Sequence, residues 1–127
     1  MSARGLTIAG ALLAFVAVAA GAFGAHALRG RLEAEELAVF ETAVRYHLVH
    51  AVALLAVAWV NTQWPGRPAR FSGWLFIAGI VLFSGSLYLF VLTGARGVVV
   101  ITPVGGLALL AGWLALAWAA WRGGPRG

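Results

Sequence analysis

The sequence predicts an all-α fold: a four-helix transmembrane bundle with a long, partly amphipathic second helix. Hydrophobic residues make up 62% of the 127 residues and charged residues 10%, against about 45–50% and about 25% in an average soluble domain. A soluble domain of this length leaves too much surface in water to hide that much apolar area. Four apolar stretches, separated by short polar links, follow one another along the chain. We therefore expect a single integral membrane domain over residues 1–127.

The first span is predicted over residues 6–25, which carry no charged side chain. A helix of about 20 residues covers about 30 Å, the thickness of the hydrocarbon core. A cleaved signal peptide is the alternative for this segment, with Arg4 as its basic start. Because the apolar run is long for a signal peptide, we expect a retained span.

The second span is predicted over residues 46–62, after an amphipathic segment over residues 32–45. Apolar residues recur there at helical spacing, at Leu37, Phe40, Val44 and Leu48. One helix from Leu32 to Val60 would be about 43 Å long, so it must project from the membrane, tilt or kink. Its first part is amphipathic enough to lie at the membrane interface.

The third and fourth spans are predicted over residues 71–93 and 103–121. The turn-forming sequence Trp64–Pro68 separates the third span from the second. Thr102 and Pro103 predict the start of the fourth helix, with Thr102 as the N-cap and Pro103 at the first helical position.

Small residues recur along the predicted spans at intervals of three and four. In the first span they are Gly10, Ala14, Ala17, Gly21 and Gly24. Lipid offers no hydrophobic driving force between helices, so close packing through small residues has to hold them together. We expect this ridge to serve ordinary helix packing rather than a dedicated dimer contact.

The basic residues predict the orientation. With four spans, both termini lie on one side, together with Arg4, Arg67, Arg70, Arg122 and Arg126. The other side holds Arg29, Arg31, Arg45, Arg96 and all four acidic residues, Glu33, Glu35, Glu36 and Glu41. The positive-inside rule counts basic residues, so we expect cytoplasmic termini. The arginines are scattered rather than clustered on one face, so we expect no nucleic-acid partner.

Polar side chains gather at the outer end of the predicted bundle. The candidate ligand-binding or polar-network residues are His26, Glu41, Arg45, Tyr46, His50, Tyr88 and Thr102. Ionisable groups at membrane depth are costly, which makes such a cluster a candidate functional site. Glu41 and Arg45 lie four residues apart, in the favourable order for an ion pair on one helix.

Four interpretations of this cluster stay open. Its members can tie the helices together by hydrogen bonds, or handle protons or a small solute, since histidine titrates near neutral pH. His26, His47 and His50 are weak candidates for a metal site, because helical HxxH spacing alone is a weak signal. Catalysis is disfavoured: the chain has no Asp and no Cys, and Ser84 lacks a nucleophile-elbow pattern. We therefore predict no catalytic residue and no cofactor.

Four sequence blocks carry a resemblance to a known family. They are Gly21–His26 (GAFGAH), Thr42–Ala51, Phe83–Tyr88 with Leu92–Gly94, and Ile101–Gly106. In this order they resemble the transmembrane protein 256 family, also called domain of unknown function 423, of YgdD-like small membrane proteins. The resemblance implies a compact four-span bundle in the bacterial inner membrane. The family more often has Gln at the position of His47, so the resemblance favours His26 and His50 as ligands.

The sequence thus predicts a non-enzymatic membrane module that binds itself as a homo-oligomer, membrane lipid or a larger membrane complex. The alternative is a small transporter, or a protein that responds to protons or metal ions. That alternative would use His26, His50, Arg45 and Tyr88.

Overall fold

The computed structural model describes residues 1–124, which form four long helices and no β-strand. They are α1 (Ala3–Leu28), α2 (Ala34–Gln63), α3 (Arg67–Thr93) and α4 (Thr102–Gly123). Each is long and apolar enough to cross a membrane, α4 together with the short 3-10 turn Arg96–Val100 before it. The predicted all-α, four-helix transmembrane fold is confirmed. Arg126, which entered the orientation argument, lies outside the described residues.

Each helix extends beyond its predicted span by one or more residues, α3 at its first end only and the others at both ends. The largest extension is in α2, where the amphipathic segment and the second span form one uninterrupted helix of 30 residues. At 1.5 Å per residue its length is about 45 Å, which exceeds the hydrocarbon thickness of about 30 Å. The long second helix predicted from the sequence is therefore present.

The start of α4 corrects one prediction. The N-cap position belongs to Ile101, and Thr102 is already inside the helix. The 3-10 turn that ends at Val100 leads directly into α4. The helix therefore begins one residue earlier than it would if Thr102 were the N-cap. The Thr102 hydroxyl instead lies 2.5 Å from the Ser86 hydroxyl of α3. Pro103 lies in the first turn, as predicted.

The helices pack in chain order, α1 along α2, α2 against α3 and α3 against α4. Half of the most apolar stretch of α2 is buried, compared with about one sixth in α1 and in α4. Helix α2 is therefore the central helix, and α1 and α4 turn most of their surface outward. The largest buried cluster contains Leu6, Leu54, Val57 and Phe76, which come from α1, α2 and α3.

The small-residue ridge of α1 packs against α2 within the same chain. A Cβ at Gly10 would lie 2.9 Å from the Ala51 carbonyl oxygen, and one at Gly24 would lie 2.7 Å from the Phe40 ring. Only glycine allows approaches this close. The ridge therefore serves ordinary helix packing, as expected.

Helices α3 and α4 approach most closely at a wide π-type turn over Ile80–Ser84. In this turn the Gly85 N–H donates to the Ile80 carbonyl, five residues back. A Cβ at Gly105 of α4 would lie 2.3 Å from the Phe83 backbone nitrogen. The two backbones are thus nearly in contact, which places the serines beside this turn within reach of neighbouring helices.

Candidate functional site

A buried histidine–tyrosine pair joins α2 to α3. The His47 Nδ1 atom lies 2.9 Å from the Tyr88 hydroxyl oxygen, and the His47 side chain is 3% exposed. The other ring nitrogen, Nε2, is buried without a hydrogen-bond partner among residues 1–124. The ring lies beside the backbone of Leu13 in α1. His47 thus stands where three helices meet.

A second histidine, His50, uses both ring nitrogens in hydrogen bonds. Its Nδ1 lies 2.6 Å from the Tyr46 carbonyl oxygen, and Trp113 of α4 donates its indole N–H to Nε2 over 3.0 Å. A carbonyl only accepts and an indole N–H only donates. The pairing therefore defines a neutral imidazole with its proton on Nδ1, and neither nitrogen is left for a ligand.

Three buried serines add further hydrogen bonds between helices. Ser84 donates to the Ala43 carbonyl of α2, and Ser72 donates to the Gly112 carbonyl of α4, each over 2.8 Å. Ser86 bonds to Thr102 at the start of α4. These bonds tie α3 to α2 and to α4.

Four of the predicted site residues take part in the buried hydrogen bonds described above, which we call the network. Tyr88 and Thr102 contribute hydroxyl groups, and His50 contributes both nitrogens. Tyr46 contributes its backbone carbonyl, while its ring is 43% exposed and packs 4.7 Å from the Phe83 ring, centroid to centroid.

The remaining predicted residues lie apart from the network. His26, Glu41 and Arg45 are all exposed. The predicted ion pair between Glu41 and Arg45 does not form within residues 1–124. The reason is their position: both side chains point away from the packed face of α2, where long side chains stay solvated and gain little from pairing.

The geometry also separates the three histidines proposed for a metal. His26 lies in the π-type turn Gly24–Leu28 that ends α1, and its side chain is exposed. His50 has no free nitrogen. Among the described residues no group of three His, Cys, Asp or Glu side chains is placed to hold a metal ion. A site built from His26, His47 and His50 is therefore wrong for this conformation.

Several members of the network were missed at the level of sequence. They are Ser72, Ser84, Ser86 and Trp113. The available signal was chemical: a hydroxyl or an indole N–H in the middle of an apolar span needs an acceptor. The sequence shows that such a group needs a hydrogen-bond acceptor. It does not show which one, because every neighbouring helix supplies backbone carbonyls.

Comparison with known proteins places this architecture in a family. Residues 20–106 match the family described as protein of unknown function (DUF423). The UPF0382 membrane protein YwdK of Bacillus subtilis is 44% identical over 114 residues, covering 89% of this chain and 93% of the relative. No solved structure matches.

Further relatives come from other bacteria. A UPF0382 membrane protein of Staphylococcus aureus is 43% identical over 109 residues, covering 86% of this chain and 88% of the relative. One from Haemophilus influenzae is 41% identical over 112 residues, covering 88% and 90%. The chain is therefore a membrane protein that belongs to the DUF423 family, whose function is unknown.

Proposed function

We propose that this chain is a non-enzymatic module of the bacterial inner membrane that acts by binding itself, membrane lipid or a larger membrane complex. Its polar interior ties α2, α3 and α4 together, and its outer faces make the functional contacts. Both termini lie in the cytoplasm in this proposal, following the excess of arginine on their side.

The observation that carries the proposal is the pairing of His50. A catalytic or ligand-binding histidine needs a nitrogen that can exchange a proton or bind a metal. In His50 one nitrogen is used by the Tyr46 carbonyl and the other by the Trp113 indole. The buried serine hydroxyls donate to backbone carbonyls in the same way. This chemistry is that of structural cross-links.

The outward faces of α1 and α4 support the second half of the proposal. Large apolar side chains there are half exposed or more, among them Phe15 at 73% and Leu114 at 73%. Such faces suit lipid chains or another transmembrane helix. The exposed polar residues His26, Glu41 and Arg45 lie near one end, where they can contact headgroups or a partner protein.

Native mass spectrometry of protein released in mild detergent, with metal analysis of the same sample, tests the proposal. We expect a metal-free protein that is oligomeric or retains lipid. A stoichiometric metal that is lost in a His26→Ala, His50→Ala variant would overturn it. Circular dichroism of the double variant is the folding control, because His50 is buried and both of its ring nitrogens are hydrogen-bonded.

One observation favours a second candidate function, a small proton-responsive protein or transporter. The buried Nε2 of His47 has no hydrogen-bond partner among the described residues, and Nδ1 contacts the Tyr88 hydroxyl. A proton could pass between these groups. Proteoliposomes with a pH-sensitive dye distinguish the two functions. Proton flux above that of empty vesicles, lost in Tyr88→Phe, would favour the second function, and no flux would favour the first.

A further inference from the structure

A groove between α3 and α4 lies on the outward-facing side of the bundle, near the end where α1 begins and the described part of α4 ends. It is lined by Arg67, Arg70, Phe71, Trp74, Leu114 and Trp118, and we call it the basic groove. Its volume is about 780 Å³, within the range of about 300–1,000 Å³ typical of small-molecule sites.

The lining of the basic groove is almost wholly apolar, and two arginines stand at one end of it. Arg67 and Arg70 lie in the first turn of α3, and Trp74 lies about 10 Å further along the helix axis from Arg67. The large apolar side chains of the lining are half exposed or more, with Trp74 at 55% and Leu114 at 73%. The groove therefore offers cationic groups at the depth of headgroups and an apolar trough at the depth of acyl chains.

The charge of this end is not balanced within residues 1–124. All four acidic residues lie between residues 33 and 41, at the opposite end of the molecule. Arg67 and Arg70 are exposed and form no ion pair with any described residue. Arg122 adds a third positive charge beside the groove, 5.8 Å from the Trp118 ring centre. No acidic side chain of residues 1–124 lies at this end to complement these arginines.

We propose that the basic groove binds one anionic phospholipid, with its phosphate at Arg67 and Arg70 and an acyl chain along Trp74 and Leu114. Guanidinium groups bind phosphate through paired, charge-assisted hydrogen bonds. The occupant is an anionic lipid rather than a second copy of this chain because all four acidic residues lie at the opposite end, so a copy in the same orientation would bring arginines, not carboxylates, to this end. The proposal rests on the proposed function, since it names one partner of the module.

The test is native mass spectrometry of the full chain from nanodiscs that contain equal amounts of phosphatidylglycerol and phosphatidylethanolamine. We expect one phosphatidylglycerol per chain to be retained in preference to phosphatidylethanolamine. Arg67→Gln with Arg70→Gln should lower that retention about tenfold, because each basic residue near an anionic surface strengthens the attraction to anionic lipid. Arg29→Gln with Arg31→Gln is the matched control and should change it less than twofold.

The variant Ala115→Phe tests the apolar part of the basic groove. Ala115 lines the basic groove, so a phenyl ring there fills the trough and leaves both arginines in place. We expect this variant to lose the lipid as well. It also keeps the test decisive if the double arginine variant fails to fold.

Three outcomes would overturn the lipid site. They are no preference for phosphatidylglycerol, equal losses in the two arginine pairs, and full retention in Ala115→Phe. A metal-free oligomer without lipid preference would overturn this site and leave the proposed function intact. A stoichiometric histidine-bound metal would instead overturn the proposed function.

Discussion

The His47 Nδ1 atom of α2 lies 2.9 Å from the Tyr88 hydroxyl of α3, in an interior where lipid offers neither group another partner. The two rings also pack edge to face, with centroids 5.9 Å apart. Phe40 contacts the same tyrosine ring from α2, at a centroid distance of 5.3 Å. Tyr88 is therefore held in place by packing, and its hydroxyl is directed to His47.

Removing the Tyr88 hydroxyl should weaken the bundle modestly. We expect Tyr88→Phe to lower the free energy of unfolding by about 0.6 kcal/mol, and by at most about 1.7 kcal/mol, the range measured for hydrogen bonds between membrane helices. Reversible unfolding in mixed micelles, with a double-mutant cycle that adds His47→Phe, measures the coupling of the two residues. Strictly additive effects would show that the contact contributes nothing.

The two buried serines that donate to a backbone carbonyl of another helix should each contribute a similar amount to the free energy of unfolding. Ser84→Ala removes the bond to Ala43, and Ser72→Ala removes the bond to Gly112. We expect losses of about 0.5–1.5 kcal/mol for each. Thr7→Val is the matched control, because the exposed Thr7 hydroxyl donates to the Ala3 carbonyl of its own helix and ties no second helix. Thermal unfolding in one detergent compares all three variants, and an equal loss in the control would contradict the cross-link account.

The contact between α3 and α4 predicts opposite effects at two glycines. A Cβ at Gly105 would meet the α3 backbone at 2.3 Å, whereas a Cβ at Gly85 would have nothing within 4 Å. Gly105→Ala should cost about 1–3 kcal/mol through overpacking. Gly85→Ala should be neutral or stabilise the helix by up to about 1 kcal/mol. The melting temperatures of the two variants test this difference. Similar values would contradict the close approach of α3 and α4 at Gly105.

The sequence predicts the helices of this protein well, because each predicted span is a long stretch of residues without a charged side chain. The long α2 and the glycine ridge of α1 follow from local patterns. Partners across helices do not follow. In a soluble bundle, polar residues mark the outer face, but here the lipid-facing and buried faces are both apolar. The pattern around Trp113 or Ser84 therefore does not show which helix lies opposite.

Two errors in the predicted site share a cause. Spacing along one helix placed Glu41 beside Arg45, but spacing carries no information on the solvation of an exposed pair. Thr102 followed by Pro103 has the local pattern of a helix start. The residues before it form a 3-10 turn, and Ser86 from another helix takes up the hydroxyl. In both cases the deciding contact lies outside the local sequence.

The orientation can be tested directly because the chain contains no cysteine. We expect Gly97→Cys, between α3 and α4, to react with a membrane-impermeant maleimide in intact spheroplasts. Gly66→Cys, between α2 and α3, should react only after lysis. Neither substitution changes an arginine, so the charge distribution that sets the orientation is preserved. The reverse labelling pattern would place the termini outside.

The central claim, that the interior histidines are structural, is tested most directly by nitrogen-15 NMR of the histidine side chains in lipid nanodiscs. His26→Ala and His47→Gln assign the three histidines. We expect His50 to carry its proton on Nδ1 and to have an unprotonated Nε2. We also expect Zn²⁺ to leave both His50 nitrogen signals unchanged and Trp113→Phe to shift the Nε2 signal. A proton on Nε2, or a Zn²⁺-dependent shift of His50, would show that His50 is not a structural residue.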